Sequence, residues 1–198
     1  MPLVKFDTSP EQYNFLQELL DNAEQIVEEY DDNKHKLKVH ETPNCVGWHQ
    51  TSPYRFGFGG GYEHLPILSK IISSALPKAS ILVVMISEVV SNLPQGVHQE
   101  EIPHGVRRFH IPIKYNPNAR LNVLEYSKWN QYEWDDHNVF EFLNFNDPHY
   151  ISCPGNDGNR IVLLIDVCDK NLSNQQLIEI KKWYDKFIID ARFYDVYK

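Results

Sequence analysis

Cysteine is scarce in this chain, and the little there is falls into no motif. Cys45, Cys153 and Cys168 are odd in number and have no Cys-x-x-Cys spacing. That excludes a disulfide frame or a zinc knuckle and reads as free thiols in a reducing compartment. Basic residues are also in the minority. Nineteen Lys and Arg stand against twenty-seven Asp and Glu, a net charge of −8, which argues against a nucleic-acid backbone as the main partner. Long apolar runs are missing. The longest, Ile81–Ile86, is far too short to span a bilayer. The opening Met1-Pro-Leu-Val-Lys-Phe-Asp7 lacks the apolar region of a secretory signal. These absences together predict a cytoplasmic protein with neither nucleic acid nor membrane as partner. Two catalytic signatures are missing as well. The glycines at Gly57 and Gly59-Gly60-Gly61 are followed by no Gly-Lys-Ser/Thr, and the chain contains no Gly-x-Ser-x-Gly. There is no internal repeat and no low-complexity tract.

What is present suits one globular domain with a sizeable core: 198 residues, 42 % of them hydrophobic and 13 % aromatic. Residues 9–30 carry apolar side chains at helical spacing, with Thr8 or Ser9 as cap and Pro10 in the first turn. Glu28 to Lys38 reads as a charged connector and residues 43–64 as irregular. A short helix is expected from Pro66 to Leu76, stopped by Pro77.

From Ser80 the texture changes. Ile81–Val90, Arg107–Tyr115, Arg120–Tyr126, Val139–Phe145, His149–Cys153 and Arg160–Val167 read as strands. They are separated by Leu93-Pro-Gln-Gly96, Asn116-Pro-Asn118, Asp135-Asp-His-Asn138 and Pro154-Gly-Asn-Asp-Gly158, turn-forming stretches in which Gly and Asn tolerate positive φ and Pro fixes φ. Short strands without intervening helices indicate an antiparallel sandwich or barrel. A last helix is expected over Ser173–Ile189, with Ser173 as its cap. The outline is a jelly roll over about 81–170 with an N-terminal helical and irregular part over 1–80, all in one domain.

Alternation along a strand sends Arg108, His110 and Pro112 the same way. A neutral imidazole facing the interior of such a barrel is a good Fe(II) ligand. His149 follows the turn Asn146-Asp-Pro148, and Arg160 opens the next strand after a Gly/Asn-rich hairpin, which is expected to bring it close to the His149 strand. An arginine fork beside a metal can grip a carboxylate in bidentate fashion. Each residue has a plainer reading. His110 alone reads as a hydrogen-bonded core histidine, His149 as a turn residue, and Arg160 as a strand-start arginine paired with Asp157 or Asp166. His137, among carboxylates, reads as part of a polar turn.

The chain from Val97 to Val167 resembles the aspartyl/asparaginyl β-hydroxylase family of Fe(II)/2-oxoglutarate-dependent oxygenases. The resemblance rests on Arg108-Phe-His110-Ile-Pro-Ile113, Tyr132-Glu-Trp134-Asp-Asp, Val139 to Phe145 leading to His149, and Gly158-Asn-Arg160-Ile-Val-Leu-Leu-Ile-Asp166-Val. It covers roughly a third of the chain. It implies a mainly β, double-stranded β-helix (jelly-roll, cupin-like) core with flanking α-helices. It also implies Fe(II) held by His110 and His149, and 2-oxoglutarate as co-substrate with its distal carboxylate on Arg160. Arg108 is a further co-substrate contact, and His98 and His104 are candidate substrate contacts. The implied activity is hydroxylation of an Asp/Asn-type peptide side chain or a free amino acid. Most such oxygenases add a carboxylate in a His-x-Asp/Glu motif, whereas the position two after His110 is Pro112. Asp147 and Glu100 are the nearest substitutes. A jelly-roll module that binds a small acid or a partner without catalysis is the alternative.

Overall fold

A computed structural model describes residues 9–36, 39–42, 45–51, 64–75, 81–89, 91, 97, 99, 102–133, 140–141, 147–155, 158–168, 172–180 and 182–183. The expected first helix is two helices, α1 (Pro10–Asp21) and α2 (Ala23–Asn33). Ser9 caps α1 in a reciprocal box: its Oγ accepts from the Gln12 amide at 3.2 Å, and Gln12 Oε1 accepts from the Ser9 amide at 3.4 Å. Asn22 makes the break, with φ −106° and ψ 14° and its side-chain amide donating to the Glu18 carbonyl at 2.7 Å. That side-chain bond competes with continuation of the backbone ladder. The expected connector from Glu28 is therefore helical to Asn33 and closes in a single 3-10 turn, Lys34–Lys36. Glu28, Asp31 and Asp32 face solvent while Ile26, Glu29 and Tyr30 are buried. Helix α3 (Pro66–Ala75) lies within the expected bounds. The Glu29 carboxylate accepts from the amides of Ile67 at 2.7 Å and Leu68 at 3.3 Å. It satisfies first-turn donors of α3 and complements the positive end of that helix.

The described residues form nine strands: β1 (Val39–Thr42) and β2 (Cys45–Thr51) before α3, then β3 (Ile81–Val89), β4 (Val106–Lys114), β5 (Arg120–Glu125), β6 (Lys128–Glu133), β7 (Phe140–Glu141), β8 (His149–Ser152) and β9 (Arg160–Cys168). They form a six-stranded sheet in the order β1-β2-β3-β9-β4-β7 and a three-stranded sheet in the order β6-β5-β8, with every pairing antiparallel. The chain passes back and forth between the two sheets, which is the jelly-roll core with flanking helices. Strand β2 replaces part of the stretch expected to be irregular, and β1 lies just before it, where no element was expected. Strand β6 was not expected either, because Lys-Trp-Asn-Gln-Tyr-Glu has no apolar face and stays mostly exposed. The expected strand over Val139–Phe145 is seen as Phe140–Glu141, and residues 142–146 lie outside the described set. Residues 174–180 and 182–183 are helical, within the span expected for the last helix. Ser173 and Gln176 form a capping box there: the Gln176 amide donates to Ser173 Oγ at 3.3 Å and the Ser173 amide to Gln176 Oε1 at 2.9 Å.

Strand β9 explains its own composition. All nine of its residues are buried, because both faces are covered, and a strand covered on both faces reads as a continuous apolar run. Ile161, Leu163, Ile165 and Val167 pack with Val84, Ile86, Phe109, Ile111 and Ile113 under the three N-terminal helices. The alternate residues Arg160, Val162, Leu164, Asp166 and Cys168 look the other way, into the space between the sheets. Two apolar clusters cover that face of the large sheet. Met85, Val106, Val162, Leu164 and Cys168 meet Leu177, Ile180 and Trp183 at one end. Val89, Leu121, Val123, Ile151 and Cys153 meet at the other. The turn into β4 needs a glycine, since Gly105 has φ +83° and an added Cβ would lie 2.3 Å from Leu172 Cδ2. No described helix is long and apolar enough to cross a membrane.

Candidate active site

Arg160 is the largest fully buried side chain of the described residues, 1 % exposed. Its register partner is Val89, which places it on the inner face beside the apolar cluster of Leu121, Val123 and Ile151. A cation in such surroundings requires anionic or strongly polar company. The expected hairpin between β8 and β9 does not form as a paired hairpin. β8 pairs with β5 in the small sheet, while β9 runs between β3 and β4 in the large one. Both edges of β9 are paired, with β3 and with β4, so no edge is left for β8. The two ends of the 153–159 connection still meet, with Cys153 Sγ 4.0 Å from the Gly158 carbonyl oxygen.

His149 opens β8 opposite Val123 and is 5 % exposed. Sharing the face of Val123 and Ile151, it looks towards the large sheet. Its Nδ1 lies 2.9 Å from the Asp147 carbonyl oxygen. A carbonyl only accepts, so a proton sits on Nδ1 and Nε2 is the ring nitrogen turned away from that bond. That is the arrangement by which a metal-binding imidazole is oriented from behind. The turn is itself held, because the Leu124 amide donates to the Pro148 carbonyl at 2.8 Å.

On β4 the inner face carries Arg108, His110 and Pro112, registered against Asp166, Leu164 and Val162. His110 lies between β9 and Phe140 of β7, with both ring nitrogens withdrawn from solvent. Arg108 was expected to touch the co-substrate. Its fork instead closes on Asp166, Nε to Oδ1 at 2.6 Å and Nη2 to Oδ2 at 2.8 Å. Asp166, one of the two partners expected for Arg160 on its plainer reading, is the bidentate partner of Arg108. On the opposite face, Arg107 makes an equivalent fork with Glu141 at 2.7 and 2.6 Å.

The structure thus brings His149 and Arg160 to the end of the inter-sheet space lined by Val89, Leu121, Val123 and Ile151, and puts His110 on the same face of the large sheet as Arg160, opposite Leu164. His104 is exposed in the turn before β4. Asp147 contributes its carbonyl to His149. His98, Glu100, His137, Asp157 and the glycine-rich loop 57–61 lie outside the described residues. Among the described residues no group of three His, Cys, Asp or Glu could hold a metal ion. The donor chemistry of the two inner imidazoles suits Fe(II), but a facial set of two histidines and one carboxylate needs a further donor. One sequence signal bears on this and was passed over: His98-Gln99-Glu100 has the His-x-Glu spacing of such a set. Sequence reasoning also singled out none of Tyr30, Glu88, Asn116 and Asn159, which bond to one another or to Gly158 where the chain enters β9. No motif marks them.

No family model matches the chain, and no curated protein does. Solved structures similar to it include the Lactobacillus farciminis oxalate decarboxylase formate complex, at 15 % identity over 68 % of this chain and 32 % of that one, with a TM-score of 0.42. The chain therefore spans about a third of that decarboxylase. A Cupin 2 conserved barrel domain protein from Salinispora arenicola CNS-205 is similar at 11 % identity over 76 % of this chain and 92 % of that one, with a TM-score of 0.42. Fe(II)-HppE with an alternative substrate is similar at 10 % identity over 44 % and 43 % of the two chains, with a TM-score of 0.33. Likenesses at this level carry no argument about activity, and the fold stands on the strand pairing described above.

Proposed function

We propose that this protein is an Fe(II)/2-oxoglutarate-dependent oxygenase, a hydroxylase of an Asp/Asn-type peptide side chain or a free amino acid. The observation that supports the reading is a wholly buried arginine and an inward histidine, its Nδ1 held by a main-chain carbonyl, beside the same apolar cluster. Arg160 binds the distal carboxylate of 2-oxoglutarate, where its planar fork and permanent charge suit a dicarboxylate better than a lysine would. The apolar side chains of Val89, Leu121, Val123 and Ile151 exclude water around that ion pair and strengthen it. His149 presents Nε2 to the metal, with Asp147 fixing the ring.

Two donor sets share His149. One adds His110, the second inner imidazole. The other adds His98 and Glu100 and completes a two-histidine, one-carboxylate set, and for that reason it is the assignment preferred here. Bound iron supplies the dioxygen chemistry, in which a substrate C–H becomes C–OH while 2-oxoglutarate becomes succinate and carbon dioxide. A non-catalytic jelly-roll binding module is the second reading. It is favoured by Pro112, buried opposite Val162 where the resemblance would put a ligand beside His110.

Anaerobic titration with Fe(II) and 2-oxoglutarate, followed by the weak visible charge-transfer band of the chelate, tests the proposal. A band that needs both components, followed by succinate release during substrate screening, supports an oxygenase. A folded protein that binds the acid with no coupling to metal supports the binding module.

A further inference from the structure

We infer that Tyr30, Glu88 and Asn159 form a positioning chain through which helix α2 sets where the Arg160 guanidinium stands. The inference rests on the co-substrate role given to Arg160 above. It also assigns a task to the N-terminal helical layer, which the sequence left without one.

Glu88 is the odd residue on its face of β3. Val84 and Ile86, on the same face, belong to the apolar layer under the helices, yet Glu88 continues the series as a carboxylate only 6 % exposed. A buried carboxylate there is costly unless its oxygens are used. They are used in opposite directions. Oε2 accepts from the Tyr30 hydroxyl on α2 at 2.8 Å, and Oε1 accepts from the Asn159 side-chain amide at 2.6 Å. Lys34, just past α2, stands 3.6 Å from Oε1.

Asn159 lies where the regular ladder stops. The last pair of β3 and β9 is Val89 with Arg160. Beyond it, side chains take over from backbone pairing. The Ser91 amide donates to Asn159 Oδ1 at 3.3 Å. The Gly158 carbonyl accepts from Asn116 Nδ2 at 2.5 Å and from the Ser91 hydroxyl. Asn116 is itself fully buried. Gly158 has φ +95° with open space where a Cβ would be, so the backbone enters β9 through a conformation that only glycine adopts readily. The residue before Arg160 is thus held from the helix side by Glu88 and from the β3 end by Ser91.

A dicarboxylate gripped at both ends measures the distance between its two grips. Moving one grip changes which chain length fits, and misplacement of about 1 Å can cost about a hundredfold. A residue that merely stabilises the fold would weaken acids of every length alike.

The test uses the full chain under anaerobic conditions with Mn(II). It measures binding of 2-oxoglutarate, of oxaloacetate, one methylene shorter, and of 2-oxoadipate, one longer, to the wild type and to Asn159→Ala, Glu88→Gln and Tyr30→Phe. Expected is a wild-type preference for 2-oxoglutarate that Asn159→Ala reduces by about tenfold relative to the other two acids, roughly 1.4 kcal/mol. Glu88→Gln and Tyr30→Phe should move it the same way by less, with affinity for Mn(II) alone unchanged throughout. Should Asn159→Ala fail to fold, the two milder variants carry the same comparison. Acids weakened by one common factor, or unchanged, overturn the inference and leave the functional proposal standing. A wild type that binds none of the three acids overturns both.

Discussion

Arg108 and Asp166 face each other across β4 and β9 and close two hydrogen bonds, at 2.6 and 2.8 Å, with both side chains buried. The pair sits on the same inner face as His110. Removing one member would strand the other charge in the core, at a cost of about 3–5 kcal/mol. Asp166→Ala should therefore lose stability of that order in urea denaturation. The double change Arg108→Met with Asp166→Leu should recover most of it, because an apolar pair of similar volume avoids the desolvation of two ions. A single variant that loses less than about 1 kcal/mol would show that the pair behaves like a surface bridge.

Arg160→Ala separates co-substrate from metal. Its loss should weaken 2-oxoglutarate by at least about a hundredfold, the equivalent of roughly 3 kcal/mol. Mn(II) affinity measured without the acid should change by less than about threefold. Equal weakening of acid and metal would remove Arg160 from the role assigned to it.

The β5–β6 hairpin turns on Tyr126 and Ser127, with φ of 50° and 64°. Positive φ at both central residues matches a two-residue primed turn, which favours Asn-Gly. The combined change Tyr126→Asn and Ser127→Gly should raise stability by roughly 0.5–1 kcal/mol, read as a melting-temperature rise of about 1–4 °C in a chain of this size. Tyr126 is fully exposed, so no packing is lost. A lower melting temperature would show that the tyrosine has a role the hairpin geometry does not reveal.

The same hairpin shows where the sequence was silent. Strands β3, β4, β5, β8 and β9 are legible because each has an apolar or alternating run bounded by Gly, Pro or Asn, and burial imposes that pattern. Strand β6 is an exposed edge, so nothing apolar marks it, and its turn uses residues that seldom signal a hairpin. The break at Asn22 was hidden because apolar spacing persists across it from Leu19 to Ile26. At the site, alternation along β4 gave the common face of Arg108, His110 and Pro112, whereas no local pattern announced the burial of His149 and Arg160. The Arg108–Asp166 fork needed the register of two strands fifty-eight positions apart. The bonds from Glu88 to Tyr30 and Asn159 span similarly distant parts of the chain, and no local pattern announces them.

Tyr30 gives the alkaline limb of stability. Burial above all, then the charge of Glu88 and the bond to it, push its hydroxyl far above the ordinary tyrosine value. The folded state therefore keeps this proton where the unfolded chain, with a pKa of about 10, gives it up. The associated stability is present below pH 10 and declines as pH rises above it, because the unfolded state then binds fewer protons. Denaturation midpoints at pH 9 and pH 11 should fall more steeply in the wild type than in Tyr30→Phe. Parallel lines for the two proteins would show that Tyr30 titrates like an exposed phenol.

The two donor sets make opposite predictions. With His149, Glu100 and His98 as ligands, His149→Ala, Glu100→Ala and His98→Ala should each abolish the charge-transfer band of the Fe(II)–2-oxoglutarate chelate. His110→Ala should then retain it with reduced affinity, because its side chain packs the inner face of β4 opposite Leu164. With His110 and His149 as ligands, His110→Ala loses the band and His98→Ala keeps it. Asp147→Asn is the control for tautomer, since the His149 ring is held by the Asp147 main-chain carbonyl and not by its carboxylate. That variant should leave the band in place under either assignment. If it instead removes the band, the Asp147 carboxylate joins the donor set and the carboxylate role passes to it from Glu100.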